Sequence, residues 1–278
     1  MVAKVIVAAL FVVSIVGAVH FDPFRDRSLL GTQAADGPHV RLMTWNIGYA
    51  GVEGDNRAHT SDLGTVANAI LSSDPDAVAL QELAGPGQLQ SLLDLLRRRY
   101  RGAISQFGAS DRIEAVLVKD PDALFEDIKA GDRFGLASTF KIGSDQAGRH
   151  EIVLISAHAD AFNSARRRVF TGDVVEWAQA RPESHVVFIA GDFNFELNPQ
   201  KQSDLFTDNA KNDSESYSYI LKYFRDLGRE AGWTAINNRR IDYIFGPPEA
   251  ALLRRAQVIK DAGASGMDHC PLLVEVAL

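Results

Sequence analysis

Eight polar residues stand at or beside apolar runs in this chain: Asn46, Glu82, His158, Asp192, Asn194, Asp242, Asp268 and His269. Carboxylates, carboxamides and imidazoles are the groups that hold a hard cation, orient a water and carry a proton. Brought to one place, they would make a hydrolytic site. The organising stretch is 186–194, Val-Val-Phe-Ile-Ala-Gly-Asp-Phe-Asn. Five apolar residues closed by a glycine read as a buried strand. Side chains alternate faces along an extended chain, so Asp192 and Asn194 are expected to point the same way from its end. Gly-Asp and Asn are also ordinary turn residues, so this stretch alone admits a plain turn.

The other six polar residues repeat the pattern. Residues 40–46 alternate weakly and end on Asn46, and glycines 48, 51 and 54 follow. Residues 77–80 lead into Gln81-Glu82, and 152–158 end on His158. Asp242 lies within the run 241–245, and Asp268 and His269 precede an alternating closing strand at 272–278. Helical spacing over 61–71, 89–96 and 164–180 sets helices between these strands. Further strands are expected at 115–118 and 134–142, and 196–218 reads as a surface loop over the site. Strands that alternate with helices early, and with longer loops later, suggest stacked sheets covered by helices. Each polar residue has a plainer role when taken singly. A strand-end histidine often only hydrogen-bonds, Glu82 could serve free N–H groups at a helix start, and Asp242 could pair with Arg239 or Arg240. The recurrence is the signal.

The chain has 278 residues, 46% hydrophobic and 23% charged, enough for the core of one large domain. A net charge of −7 argues against a dedicated nucleic-acid-binding module, though a nuclease needs only a local basic patch. The lone cysteine, Cys270, excludes internal disulfides and Cys-rich zinc sites. Pro271 and a strand follow it where a cysteine nucleophile would need a phosphate-cradling loop, so a small buried residue is expected. Residues 1–19 read as an export signal: Lys4, then an apolar run from 5 to 19, with Val16-Gly17-Ala18 as a cleavage site. That run falls short of the ~20 residues of a spanning helix; the alternative is a membrane anchor through residues 5–21. Residues 20–38 read as a linker and 39–278 as the domain.

Thr44-Trp45-Asn46, Gln81-Glu82, Gly191-Asp192-Phe193-Asn194, Arg240-Ile241-Asp242-Tyr243 and Asp268-His269-Cys270-Pro271 occur in that order. Together these blocks resemble the endonuclease/exonuclease/phosphatase family, over residues 40–278. The resemblance implies an α/β fold, a four-layer α/β/β/α sandwich of two packed mixed sheets flanked by helices. It also implies metal-dependent phosphoester hydrolysis, chiefly of phosphodiesters, with Mg2+ as the cofactor and Mn2+ as its substitute. On this reading Glu82 is the first choice of metal ligand, with Asn46 and Asp268 beside it directly or through water. Asp192 and Asn194 align or deprotonate the attacking water. His158 and His269 bind phosphate or shuttle a proton, and Asp242 accepts from His269.

Arg166, Arg167 and Arg168 fall where the family often has an arginine after the histidine. Arg167 and Arg168 are the candidate contacts to substrate phosphate, against a solvated helix face. Met267 stands where relatives often carry serine, which reads as loop variation. The tryptophan-containing signature of inositol polyphosphate 5-phosphatases is missing before Asp242, which disfavours that subgroup. The basic runs are short and separate, so a lipid-borne or small phosphoester is expected to serve at least as well as DNA. A secreted nuclease is the alternative. A non-catalytic binding protein is disfavoured, because all eight polar positions are present. A membrane surface fits as a setting, and no obligate protein partner is evident.

Overall fold

The computed structural model describes residues 37–48, 62–107, 113–144, 148–198, 200, 210–248, 253–262 and 267–278. The residues read as an export signal, 1–19, and most of those read as a linker lie outside them. Among the described residues no helix is long and apolar enough to cross a membrane. Residues Asp36–Leu278 form one compact unit.

The first sheet contains β1 (His39–Asn46), β2 (Ala77–Leu83), β3 (Arg101–Ile104), β4 (Ile113–Val118), β11 (Leu253–Val258) and β12 (Leu272–Ala277). Its order is β11-β12-β1-β2-β4-β3. The second contains β5 (Leu124–Ala130), β6 (Arg133–Ser144), β7 (Gly148–His158), β8 (His185–Asp192), β9 (Arg225–Asp226) and β10 (Asp242–Gly246). Its order is β5-β6-β7-β8-β10-β9. Both sheets are mixed, since β1 runs parallel to β2 and β7 parallel to β8 within otherwise antiparallel ladders. Helices α1 (Asp62–Ser73) and α2 (Pro86–Leu95) cover the first sheet, and α3 (Ser164–Gln179) and α4 (Asp213–Ile220) the second. This is the expected four-layer sandwich.

Side-chain alternation explains the layers. Val40 and Leu42 of β1, Ala77 and Ala79 of β2, Leu154 of β7 and Phe188 and Ala190 of β8 face inward and form the core between the sheets. The intervening residues face the helices: Met43, Trp45, Val78 and Leu80 on one side, Val153, Ile155, Ile189, Tyr243 and Phe245 on the other. Just below the site the inner layer turns polar. Gln81 donates to Ser156 Oγ at 3.0 Å, and Ser156 donates to Leu80 O at 2.9 Å, joining the two sheets. A buried polar bridge of this kind is stable because its members satisfy one another.

Several elements differ from expectation. The polar segment expected as a loop contains α4, and Glu196 at its start is buried against Arg239; residues 199 and 201–209 lie outside the described residues. Strands β3, β5, β9 and β11 carry too few contiguous apolar residues to announce themselves. Cys270 is half-buried rather than enclosed.

Candidate active site

The inward parity that builds the core also delivers the polar residues. Thr44 and Asn46 continue the inner row of β1, Ser156 and His158 that of β7, and Asp192 that of β8. Asp192 is paired in register with His158 on one neighbouring strand and Asp242 on the other. Residues opposite one another in a ladder share a face, so these three side chains stand side by side at the sheet's end.

Glu82 breaks the rule. By alternation it should follow Val78 and Leu80 toward the helices. Instead the β2–β4 register shifts between Leu80 and Leu83, and Glu82 has φ 61°, a left-handed backbone. A bulge re-aims a side chain in this way, and a non-glycine residue held there carries strain typical of functional positions. Gly191 answers a different demand: a Cβ there would lie 1.8 Å from Ala157 O. Only glycine lets β7 and β8 close up beside Asp192.

Asp192 Oδ2 is the hub. Asn46 Nδ2 donates to it at 3.0 Å and to Glu82 Oε1 at 3.1 Å. His158 Nε2 lies 3.8 Å from both of those carboxylates, and His269 Nε2 lies 3.7 Å from Asp192. His269 Nδ1 is 2.9 Å from Asp242 Oδ2, and Asp268 Oδ1 is 3.9 Å from His269 Nε2. Asp242 therefore meets His269, while Arg239 pairs with Glu196 and Arg240 with Asp226. Burial alone would lower the His269 pKa, but the carboxylates of Asp242 and Asp192 outweigh it and hold the imidazole well above its usual range. Burial pushes Asp192 up, against the pull of His269.

Asn194 takes a place different from the one alternation suggests. Its φ of 52° ends the extended run, its N–H donates to Asp192 Oδ1 at 2.9 Å, and its amide donates to Ala159 O at 3.2 Å. It braces the carboxylate and the loop after His158. Asn46 turns its amide nitrogen toward Glu82 and Asp192, and its oxygen accepts from Gly48 N–H at 3.0 Å. Gly48 also stands next to Asp268 Oδ1.

The expectation for Arg167 is corrected. Arg167 is fully buried, forked onto Asp213 at 2.8 and 3.0 Å, and donates to Asp160 O at 2.9 Å. It has no surface with which to meet a substrate. Arg168 is exposed and paired with Glu215 of α4 at 2.9 Å.

Two residues escaped the sequence reading. Glu114 of β4 is buried, with Oε1 3.9 Å from His158 Nδ1, and accepts from Ser105 Oγ at 2.8 Å. Burial lifts its pKa to about 8, with the Ser105 hydroxyl opposing. Its inward parity with Val116 and Val118 was the available signal. Thr234 Oγ1 accepts from the N–H groups of Ile241 and Asp242 at 3.2 and 3.1 Å, fixing the start of β10.

The donor set suits a hard divalent ion: four carboxylates and a carboxamide, with no thiolate among them. Asp192, Asp242 and His269 offer ligand atoms within 4.8 Å of one another and could hold a metal. Asp242 and His269 hold each other at 2.9 Å, Asn46 joins Glu82 to Asp192, and Asp268 lies beside His269 Nε2.

The sequence matches the endonuclease/exonuclease/phosphatase family over residues 43–266. Among solved structures, the chain is similar to an endonuclease/exonuclease/phosphatase from Bacteroides vulgatus, with 18% identity, 86% of this chain and 99% of that one covered, and a TM-score of 0.67. It is likewise similar to the human Nocturnin catalytic domain with bound sulfate, at 17% identity, 86% and 94% coverage and a TM-score of 0.64. D. rerio TDP2 complexed with single-strand DNA product follows at 15% identity, 86% and 99% coverage and a TM-score of 0.59. At these identities the structures share the fold. No curated protein matches the chain.

Proposed function

We propose, from the premise that the chain belongs to the endonuclease/exonuclease/phosphatase family, that it is a metal-dependent phosphodiesterase acting on small phosphoesters. The observation that carries this reading is the convergence on Asp192 Oδ2 of Asn46, His158 and His269 within 3.8 Å. Glu82 and Asp268 would hold the ion, with Asn46 beside them. A bound divalent ion supplies charge relief on the phosphoryl oxygens. The chain's own residues do the rest. Asp192, buried and raised in pKa, orients the water and takes its proton. Asn194 holds that carboxylate from behind. His269, protonated at neutral pH and fixed through Nδ1 by Asp242, presents Nε2–H to a phosphoryl oxygen. His158 offers a second nitrogen on the opposite flank.

Small substrates are favoured over duplex DNA because the arginines near the site are spent internally on Asp213, Glu196 and Asp226. Among the described residues, these arginines are not left to follow a phosphate backbone. We further propose that residues 1–19 export the protein, which N-terminal sequencing of the mature chain from its host would test. The activity test is a hydrolysis panel with magnesium: a chromogenic diester, plasmid DNA, RNA, sphingomyelin and phosphoinositides. Turnover should vanish with EDTA and return with Mg2+ or Mn2+. Full activity in excess chelator would sink the metal-dependent reading.

A further inference from the structure

On one flank of the sandwich both sheets come to an end, the first at β11 and the second at β9. A cavity of about 640 Å³ opens between these two edges and the end of α4, a size that suits a small-molecule ligand. It lies away from the hydrolytic centre. Arg225 of its wall is in register with Gly246, whereas Asp192 is in register with Asp242 at the other end of β10. Four residues of strand separate those positions, about 13 Å.

The floor and the rim of this cavity differ in character. Phe224 and Leu227 line it from the second sheet's side, Leu253 and Ala256 from β11, and Leu221 stands at its edge, 39% exposed. The rim carries three exposed cations, Lys222, Arg225 and Arg229, in a chain whose net charge is −7. The carboxylates nearby do not cancel them. Asp226 is buried and already held by Arg240 at 2.6 and 2.7 Å and by the Tyr217 hydroxyl at 2.7 Å. Glu230 reaches only Arg229, at 3.9 Å, with both side chains in solvent, a pairing worth little. Among the described residues neither Lys222 nor Arg225 has a carboxylate partner; Lys222 lies 5.6 Å from the Tyr219 ring. An apolar hollow beneath unpaired cations is complementary to a molecule with an apolar body and an anionic head. A cationic head would be repelled, and a compact polyanion would leave the floor uncovered. We propose that this cavity is a second binding site that takes one anionic amphiphile of fatty-acid type. Its chain lies over Leu221, Leu253 and Ala256, and its carboxylate meets Lys222 and Arg225. Binding there stands whether or not the chain hydrolyses phosphoesters.

Calorimetric titration of the full chain with dodecanoate, kept below its micelle concentration, tests this directly. Dodecanoate should bind with one molecule per chain, and decanoate about tenfold more weakly for its two missing methylenes. Dodecyltrimethylammonium, with the same tail and the opposite charge, should not bind measurably. The double variant Lys222→Glu with Arg225→Glu should weaken dodecanoate about tenfold or more, the scale of a lost charged hydrogen bond. Both side chains are exposed, so its Tm should match the parent's. Leu221→Glu, which puts a charge on the apolar edge, should weaken dodecanoate as well. No binding of dodecanoate, equal binding of the two amphiphiles, or a double variant that binds like the parent would overturn the proposal. So would attachment to phosphatidylglycerol vesicles without binding of monomeric dodecanoate, because the cations would then serve a membrane surface rather than a single molecule.

Discussion

His269 and His158 flank Asp192 almost symmetrically, 3.7 and 3.8 Å from the same oxygen, yet their surroundings differ. His269 is gripped from behind by Asp242 at 2.9 Å, and Thr234 and the 234–236 loop lock that corner. Behind His158 stands Glu114, at 3.9 Å and pushed up to about 8 by burial, so it is largely neutral at pH 7. Nearness to the shared carboxylate does not assign the work; the group on the far nitrogen does. One side holds its imidazole by a 2.9 Å contact, and the other holds a group that titrates close to neutral pH.

If that asymmetry is functional, the His269 side is the more costly to break. His269→Ala and Asp242→Ala should each lower kcat/KM on the order of 10³-fold, the range for lost proton-transfer catalysis. The double variant should lose little more, because coupled residues act as one unit. Steady-state kinetics on the three variants checks this, and additive losses in activation free energy would separate the pair. On the other side the largest effect falls on stability. Arg167→Met leaves Asp213 buried and unpaired, which should cost about 3–5 kcal/mol in denaturant unfolding. Activity per folded molecule should change little if Arg167 only braces Asp160 and the Glu196 loop.

Glu114→Gln sharpens the comparison through pH. The carboxyl titrates at about 8 in the fold against an ordinary 4.5. Below the lower value both states are protonated and nothing is lost. As pH rises from there the unfolded chain ionises first, so Glu114 increasingly destabilises the fold, and the cost levels off above about 8. Glu114→Gln should therefore raise Tm relative to the parent more at pH 9 than at pH 5. Its kcat/KM should fall about tenfold, less than for Asp242→Ala, and a step near pH 8 in the parent's profile should disappear. A Tm gain independent of pH would show that Glu114 ionises normally.

Much of this site was legible because parity is written in the sequence. Asn46, His158, Asp192 and Asp242 each sit on the inward row of an apolar strand, so alternation alone points them at the gap between the sheets. The two-layer core followed from the same rows. Glu82 reaches the site only through a bulge, which no pattern at Gln81-Glu82 announces. Asn194 looked like a second inward residue, but a left-handed turn sends its amide to Ala159 O. Glu114 was hidden because its strand was read from Ala115, one residue too late to include it. Arg167 misled for a different cause: three adjacent basic residues on a helix point in three directions, and tertiary partners decide which is buried.

The smallest predicted effect tests that last point. Arg168 lies one residue from the buried Arg167, but its side chain is 60% exposed and its partner Glu215 is exposed as well. Exposed pairs of this kind contribute roughly 0–1 kcal/mol. Arg168 borders a groove between α3 and α4, lined by Thr171, Glu176, Tyr219 and Lys222, which includes none of the eight site residues. A phosphate contact would leave a different mark, since losing a charged hydrogen bond to substrate costs about 1.5–3 kcal/mol and appears in KM or kcat/KM. Arg168→Ala should therefore leave Tm within a few degrees of the parent and both kinetic constants within about twofold. A rise in KM for a chromogenic diester of about tenfold or more, with Tm unchanged, would return Arg168 to the substrate and make the helix face part of the His158 side after all.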